Sequence, residues 1–138
     1  MKKYILSALL CACAAISGAQ QPFKRTLYDP ENKINLYIDL YEESINVPGM
    51  EMFGPLHGYM NGNVYGVWMI TSAKIVDEKT ATFRLSNDFG SETQKVRLTV
   101  ENDSTYLFEQ EDGAVIKKVV ENRKLAKIPK KLKFVPRK

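Results

Sequence analysis

The sequence predicts an all-β domain: a small antiparallel meander that closes as a barrel, with a two-sheet β-sandwich as the alternative. Three observations carry this expectation. Apolar and polar residues alternate with period two in several short stretches. Turn-forming residues separate those stretches at intervals of roughly 10 to 15 residues. Beyond residue 19, no stretch sustains a helical period.

The elements follow in chain order. Residues 29–33, opened by Pro30, are the best helical candidate, and a short one. Ile34, Leu36, Ile38 and Leu40 alternate with Asn35, Tyr37, Asp39 and Tyr41, the pattern of a half-buried strand. Pro48-Gly49 predicts a type II turn, and Gly54-Pro55 a second bend. Asn61-Gly62 is a hairpin signal that would pair residues 56–60 with 65–70. Residues 64–76 form a long apolar run rich in β-branched residues. It reads as a central strand, bent at Gly66 or in its second half. Ala81, Phe83 and Leu85 mark the next strand; Val96, Leu98 and Val100 mark another. Residues 104–110 and 114–121 add two more, with a hairpin expected at Asp112-Gly113 between them. Leu132 and Phe134 alternate with Lys131 and Lys133 in a terminal strand. Seven or eight strands in one small domain suit a barrel or a sandwich. Barrel closure removes exposed edges, which favours the barrel.

Residues 1–19 read as a signal peptide. Lys2 and Lys3 precede an apolar run that ends in Ser17-Gly18-Ala19, a small-x-small cleavage site. The run is shorter than the roughly 20 apolar residues a membrane span needs, so no transmembrane segment is expected. One domain then covers residues 20–138, exported to the periplasm or secreted. Leu10-Cys11-Ala12-Cys13 also resembles a lipobox, in which Cys13 would carry a lipid. Cys11 and Cys13 are the only cysteines, so the cleaved chain has no disulfide and no thiolate metal ligand.

Charge is uneven along the chain. Residues 123–138 hold eight basic side chains and no acid, whereas residues 20–122 hold 10 basic and 16 acidic. This basic tail reads mainly as a terminal strand with a lysine-rich outer face that shields a sheet edge. Its alternative is an anion-binding surface. Phe134 is the one aromatic among these cations, so nucleic-acid binding is not expected.

Residues 47–63 are the most unusual stretch. They combine four glycines, two prolines and three methionines with His57, the chain's one histidine. Turns explain the glycines and prolines, but Met50, Met52, Phe53, Leu56 and Met60 are apolar where turns are usually polar. Such residues either plug one barrel end or line a ligand mouth. The candidate ligand-binding residues are Met50, Met52, Phe53, His57, Tyr59 and Trp68. An enzyme is not expected. His57 lacks a nucleophile elbow, and a metal site would need it to act with carboxylates alone. Asp88-Phe89-Gly90 spells a kinase motif without the rest of a kinase. No cofactor or metal is expected.

The ending of the signal, the stretch around residues 47–59, "YGVWMITS", "LSNDFGSETQ" and "RKLAKIP" together resemble small exported β-proteins of Gram-negative bacteria, lipocalin-like in shape. The resemblance implies an envelope or secreted location and carries no catalytic residues. The leading expectation is a non-enzymatic, monomeric binding module for a small apolar or amphipathic ligand. The alternative is an envelope interaction protein without a ligand pocket, meeting its partner through the apolar loop and the basic tail.

Overall fold

The structure, a computed structural model, describes residues 21–87 and 92–137. The expectations for residues 1–19, including Cys11 and Cys13, and for Asp88-Phe89-Gly90 lie outside the described residues. Ten strands are described: β1 (Lys24–Asp29), β2 (Ile34–Asp39), β3 (Gly58–Gly62), β4 (Trp68–Ile75), β5 (Thr80–Asn87), β6 (Thr93–Asn102), β7 (Thr105–Gly113), β8 (Lys117–Val119), β9 (Leu125–Lys127) and β10 (Lys131–Pro136). Eight of them close an antiparallel barrel in the order β1 to β7, then β10, which returns to β1. β8 and β9 pair only with each other. The expected barrel, rather than the sandwich, is therefore the architecture, consistent with a small lipocalin-like shape. No helix among the described residues is long and apolar enough to cross a membrane.

Period-two patterning places the core. Leu36, Phe83, Leu85, Val96, Leu98, Phe108, Leu132 and Phe134 point inward and are almost wholly buried. Phe83, Phe108 and Phe134 form a row across the interior, with ring centroids 6.2 and 5.4 Å apart. An eight-stranded barrel is just wide enough for side chains to fill, and those of the described strands pack there with almost no exposure. Phe23 and Leu40 close one end, while Val64, Ile116 and Ile128 close the other.

Several local expectations change. Residues 29–33 are not helical: Asp29 ends β1 and residues 30–33 form the β1–β2 turn. Buried Asp29 caps this turn, its side chain accepting the backbone N–H groups of Glu31 (3.0 Å) and Asn32 (3.2 Å) and its carbonyl that of Lys33 (2.7 Å), so the chain makes one turn and no more. Lys33, at φ 58°, then leaves the helical region altogether. Asn61-Gly62 is not a hairpin turn. Both residues stay in β3, opposite Asn35 and Ile34, because β2 continues beside them; the connection is residues 63–67. Asp112-Gly113 likewise stays in β7, opposite Lys95 and Gln94 of β6, and the chain then leaves the barrel. The long apolar run bends in its second half, where a bulge falls between Ile70 and Ser72. In β10, Leu132 and Phe134 face inward and Lys131 and Lys133 outward. Yet β10 is paired on both sides, so its lysines guard no edge.

Candidate functional site

Residues 40–57 join β2 to β3 across one barrel end, and their base is fixed by Asp39. This carboxylate is 1% exposed. It accepts the Ser44 hydroxyl at 2.5 Å and the backbone N–H groups of Glu42 (3.1 Å) and Tyr41 (3.2 Å), with the Lys24 ammonium 3.9 Å away. Burial alone would raise its pKa, but these donors and Lys24 together outweigh burial and hold it below the ordinary aspartate value. A depressed folded pKa means that the unfolded chain binds the proton more readily. Asp39 therefore stabilises the fold fully above about pH 4 and loses that contribution as pH falls through the folded value. Urea midpoints measured from pH 6 down to pH 3 should fall less steeply in Asp39→Asn. At pH 7 this variant should lose about 1.5–3 kcal/mol. Equal slopes for the two proteins would show that Asp39 does not couple to folding.

Above this base the loop is pinned again. Ile45 and Leu56 exchange backbone hydrogen bonds of 2.9 and 2.8 Å, and Val47 is fully buried. The tip is a single 3-10 turn, Glu51–Phe53. Hydrogen bonds from the backbone N–H groups of Glu51 itself and of Gly49 lower the Glu51 pKa. Met52 is 80% exposed and Phe53 55%. Neither residue plugs the barrel.

The other candidate residues lie apart from this tip. Met50 is half-buried at the start of the turn. His57 is half-buried at the loop base, with Nδ1 3.0 Å from the Asp39 carbonyl oxygen. Tyr59 lies on the outer wall, stacked on Tyr37 at 4.6 Å between centroids. Burial, aided by Tyr37, raises its phenol pKa. Trp68 points into the core, and its Nε1 has no hydrogen-bond partner among the described residues. The six side chains thus do not converge on one mouth. No hydrogen bond joins His57 to Glu51 among the described residues. Nor does any group of three or more His, Cys, Asp or Glu there have the geometry to hold a metal ion.

Depressions occur on the outside of the barrel. One of about 390 Å³ lies along the wall at Lys24, Arg25, Tyr37, Asn46 and Tyr59. Another of about 470 Å³ lies at the far end, beside Gln94, Gln110, Lys127 and Lys130. Sequence reasoning missed Tyr37 as the partner of Tyr59. Period two does place Tyr37 on the outer face of β2, but the cross-strand register that sets Tyr59 opposite it was not readable.

The basic tail divides into two parts. Lys131 approaches Glu109 at 3.9 Å, and Lys133 approaches Glu101 at 3.8 Å. Arg137 lies 4.5 Å over the Tyr28 ring and donates to Asn35 at 2.8 Å. These three cations are taken up by the barrel wall. Arg123, Lys124, Lys127 and Lys130 form no ion pair with a carboxylate among the described residues. No family model, no curated protein and no solved structure matches the chain.

Proposed function

We propose that the protein is an exported, monomeric, non-enzymatic interaction protein whose Glu51–Phe53 loop meets another component of the cell envelope. One contrast carries this reading: the inward side chains of the described strands are almost wholly buried, while Met52 and Phe53 stand exposed on a loop whose base is buried and hydrogen-bonded. A container for an apolar ligand needs empty, enclosed, apolar volume. An adhesive loop needs apolar side chains held outward by a rigid support, because little ordering entropy is then lost on contact. Glu42, Glu43 and Glu51 give this loop an acidic rim, which favours a partner surface with complementary basic groups.

Two measurements test the reading. Native mass spectrometry of residues 20–138 exported from a bacterial host should give the bare mass. A discrete adduct lost on denaturation would instead support a small-ligand module, with the Tyr37–Tyr59 groove as its first address. Met52→Ser combined with Phe53→Ser should change stability by no more than about 0.5 kcal/mol, because neither side chain is buried. The same variant should lose a cross-link formed by a photoreactive group at Asn46. A cross-link of unchanged yield would remove the loop from the reading.

A further inference from the structure

The β8–β9 hairpin lies at the barrel end opposite the Glu51–Phe53 loop, where β7 finishes and β10 begins. Its root is firm. Ile116 and Ile128 are buried beneath it, Ile128 N–H donates to the Ile116 carbonyl at 3.0 Å, and Tyr65 N–H donates to the Lys117 carbonyl at 2.7 Å. Inside the root, Gln110 donates to the Pro129 carbonyl and Gln94 to the Ala114 carbonyl. Beyond the root the hairpin has two unlike faces. Lys118 and Ala126, which pair with each other, are half-buried, and Lys118 Nζ reaches Asn32 Oδ1 at 3.4 Å. Lys117 opposite Lys127, and Val119 opposite Leu125, are all exposed.

That outer face is unfavourable as it stands. Like charges directly across a ladder repel, and neither Lys117 nor Lys127 has an ion-pair partner among the described residues. Val119, Val120 and Leu125 are 43%, 37% and 45% exposed. Tyr65 and Val115 lie beside it, sharing one depression with Lys117, Leu125 and the acid Glu92. The turn adds a third anomaly. Asn122 and Arg123 sit at φ 63° and 60°. Asparagine tolerates this left-handed region, but arginine does not favour it, and glycine is the usual residue at such a second position. The chain thus keeps a cation at the hairpin tip in a backbone conformation that disfavours it, and strain of this kind marks functional positions.

From this surface we infer that the β8–β9 hairpin docks on a membrane surface carrying anionic lipids. Between residues 117 and 127 there are five cations and one acid, Glu121, while Glu92, Glu111 and Asp112 border the hairpin at its root, on the barrel side. Cations at this density are attracted to phosphate-bearing headgroups, while short apolar side chains on the same projection enter the boundary below them. Tyr65 has the amphipathic ring that favours headgroup depth. The projecting shape fits a lipid surface better than a protein groove. The element is only three paired residues long, so insertion is shallow and its open backbone edges stay within reach of water. The inference is independent of the Glu51–Phe53 reading, because it uses the opposite end of the barrel.

The test is co-sedimentation of residues 20–138 with phosphatidylcholine vesicles, alone or with about 30% phosphatidylglycerol. Partition onto the anionic vesicles should exceed that onto neutral ones at least about tenfold and collapse near 0.5 M salt. Lys117→Gln with Lys127→Gln should weaken it by about twenty-five-fold, taking about fivefold per surface cation. Arg123→Gly is the sharper variant: it should weaken binding about fivefold while raising the melting temperature, because glycine removes the left-handed strain. A merely structural arginine would leave binding unchanged. Val119→Ser with Leu125→Ser should reduce the binding that survives added salt. Met52→Ser with Phe53→Ser should leave vesicle binding intact, which separates this test from that of the loop. Equal partition onto neutral and anionic vesicles overturns the inference, as does full binding by both cation variants. Salt-sensitive self-association without vesicle binding overturns it in favour of a second copy of the chain.

Discussion

Gly58→Ala is expected to lower stability by about 3 kcal/mol or more, since it combines backbone strain with overpacking. Gly58 opens β3 between Ile38 of β2 and Ile70 of β4, with φ at 148°. A Cβ placed there overlaps the Tyr37 carbonyl oxygen and lies 3.0 Å from the Ile38 Cα. Both obstacles are backbone, and β2 cannot retreat because β1 pairs with its other side. Gly49 provides the control. Its φ is also positive, at 82°, but a Cβ there meets nothing within 4 Å. Gly49→Ala should therefore lose only the conformational contribution, about 1 kcal/mol. Urea midpoints of the two variants read the difference directly. If Gly58→Ala were no less stable than Gly49→Ala, the close approach of β3 to β2 would not be what selects glycine there.

The second large effect concerns the interior. Phe108→Ala should destabilise by about 3–5 kcal/mol, because the side chain is fully buried and its removal leaves a cavity between rigid neighbours. Those neighbours are Phe83 and Phe134, whose rings lie on either side. A domain of this size is typically stable by only about 5–15 kcal/mol, so one substitution removes a large share. The experiment also bears on function. In a barrel that stores a ligand, an interior phenyl is part of a pocket wall, and trimming it changes affinity more than stability. A loss below about 1 kcal/mol, far short of a core truncation, would argue that the interior is looser than its packing implies.

The core was legible in the sequence and the connections only in part: Pro48-Gly49 forms the expected turn, with Met50 N–H donating to the Val47 carbonyl at 2.9 Å and Gly49 at φ 82°. Phe83 and Leu85, Val96 and Leu98, Leu132 and Phe134 all announce an inward face, because a strand's side-chain period is two and burial follows it. The same parity sets Trp68 beside Ile70 on the inner face of β4, so its exclusion from a ligand mouth was readable. Two hairpin signals misled for a common reason. Asn61-Gly62 and Asp112-Gly113 carry strong local hairpin signals, but neighbouring strands continue beside both and keep them extended. Tertiary pairing outweighed turn propensity. Of the candidate site, the exposure of Met52 and Phe53 agrees with a turn of unusual apolar composition. The placement of Tyr59 beside Tyr37, away from that tip, depends on register across strands, which no local pattern encodes. The side hairpin was hidden because residues 114–121 read as one strand of the meander, whereas only Lys117–Val119 pairs, and with β9 alone.

The position of β10 has a consequence for how the chain acquires its shape. The last described strand lies between the first and the seventh, with Leu27 opposite Pro136 and Phe134 opposite Tyr106. Until residues 131–136 arrive, β1 and β7 remain two open edges, and Phe108 lacks the ring of Phe134 against which it packs. Closure therefore waits on contacts that span nearly the whole described chain. Such distant pairings make folding slow relative to helical domains of similar size. A segment that stops short of residue 131 therefore has every barrel strand but one and still cannot close, so removing residues 131–136 should cost the whole fold rather than a single strand.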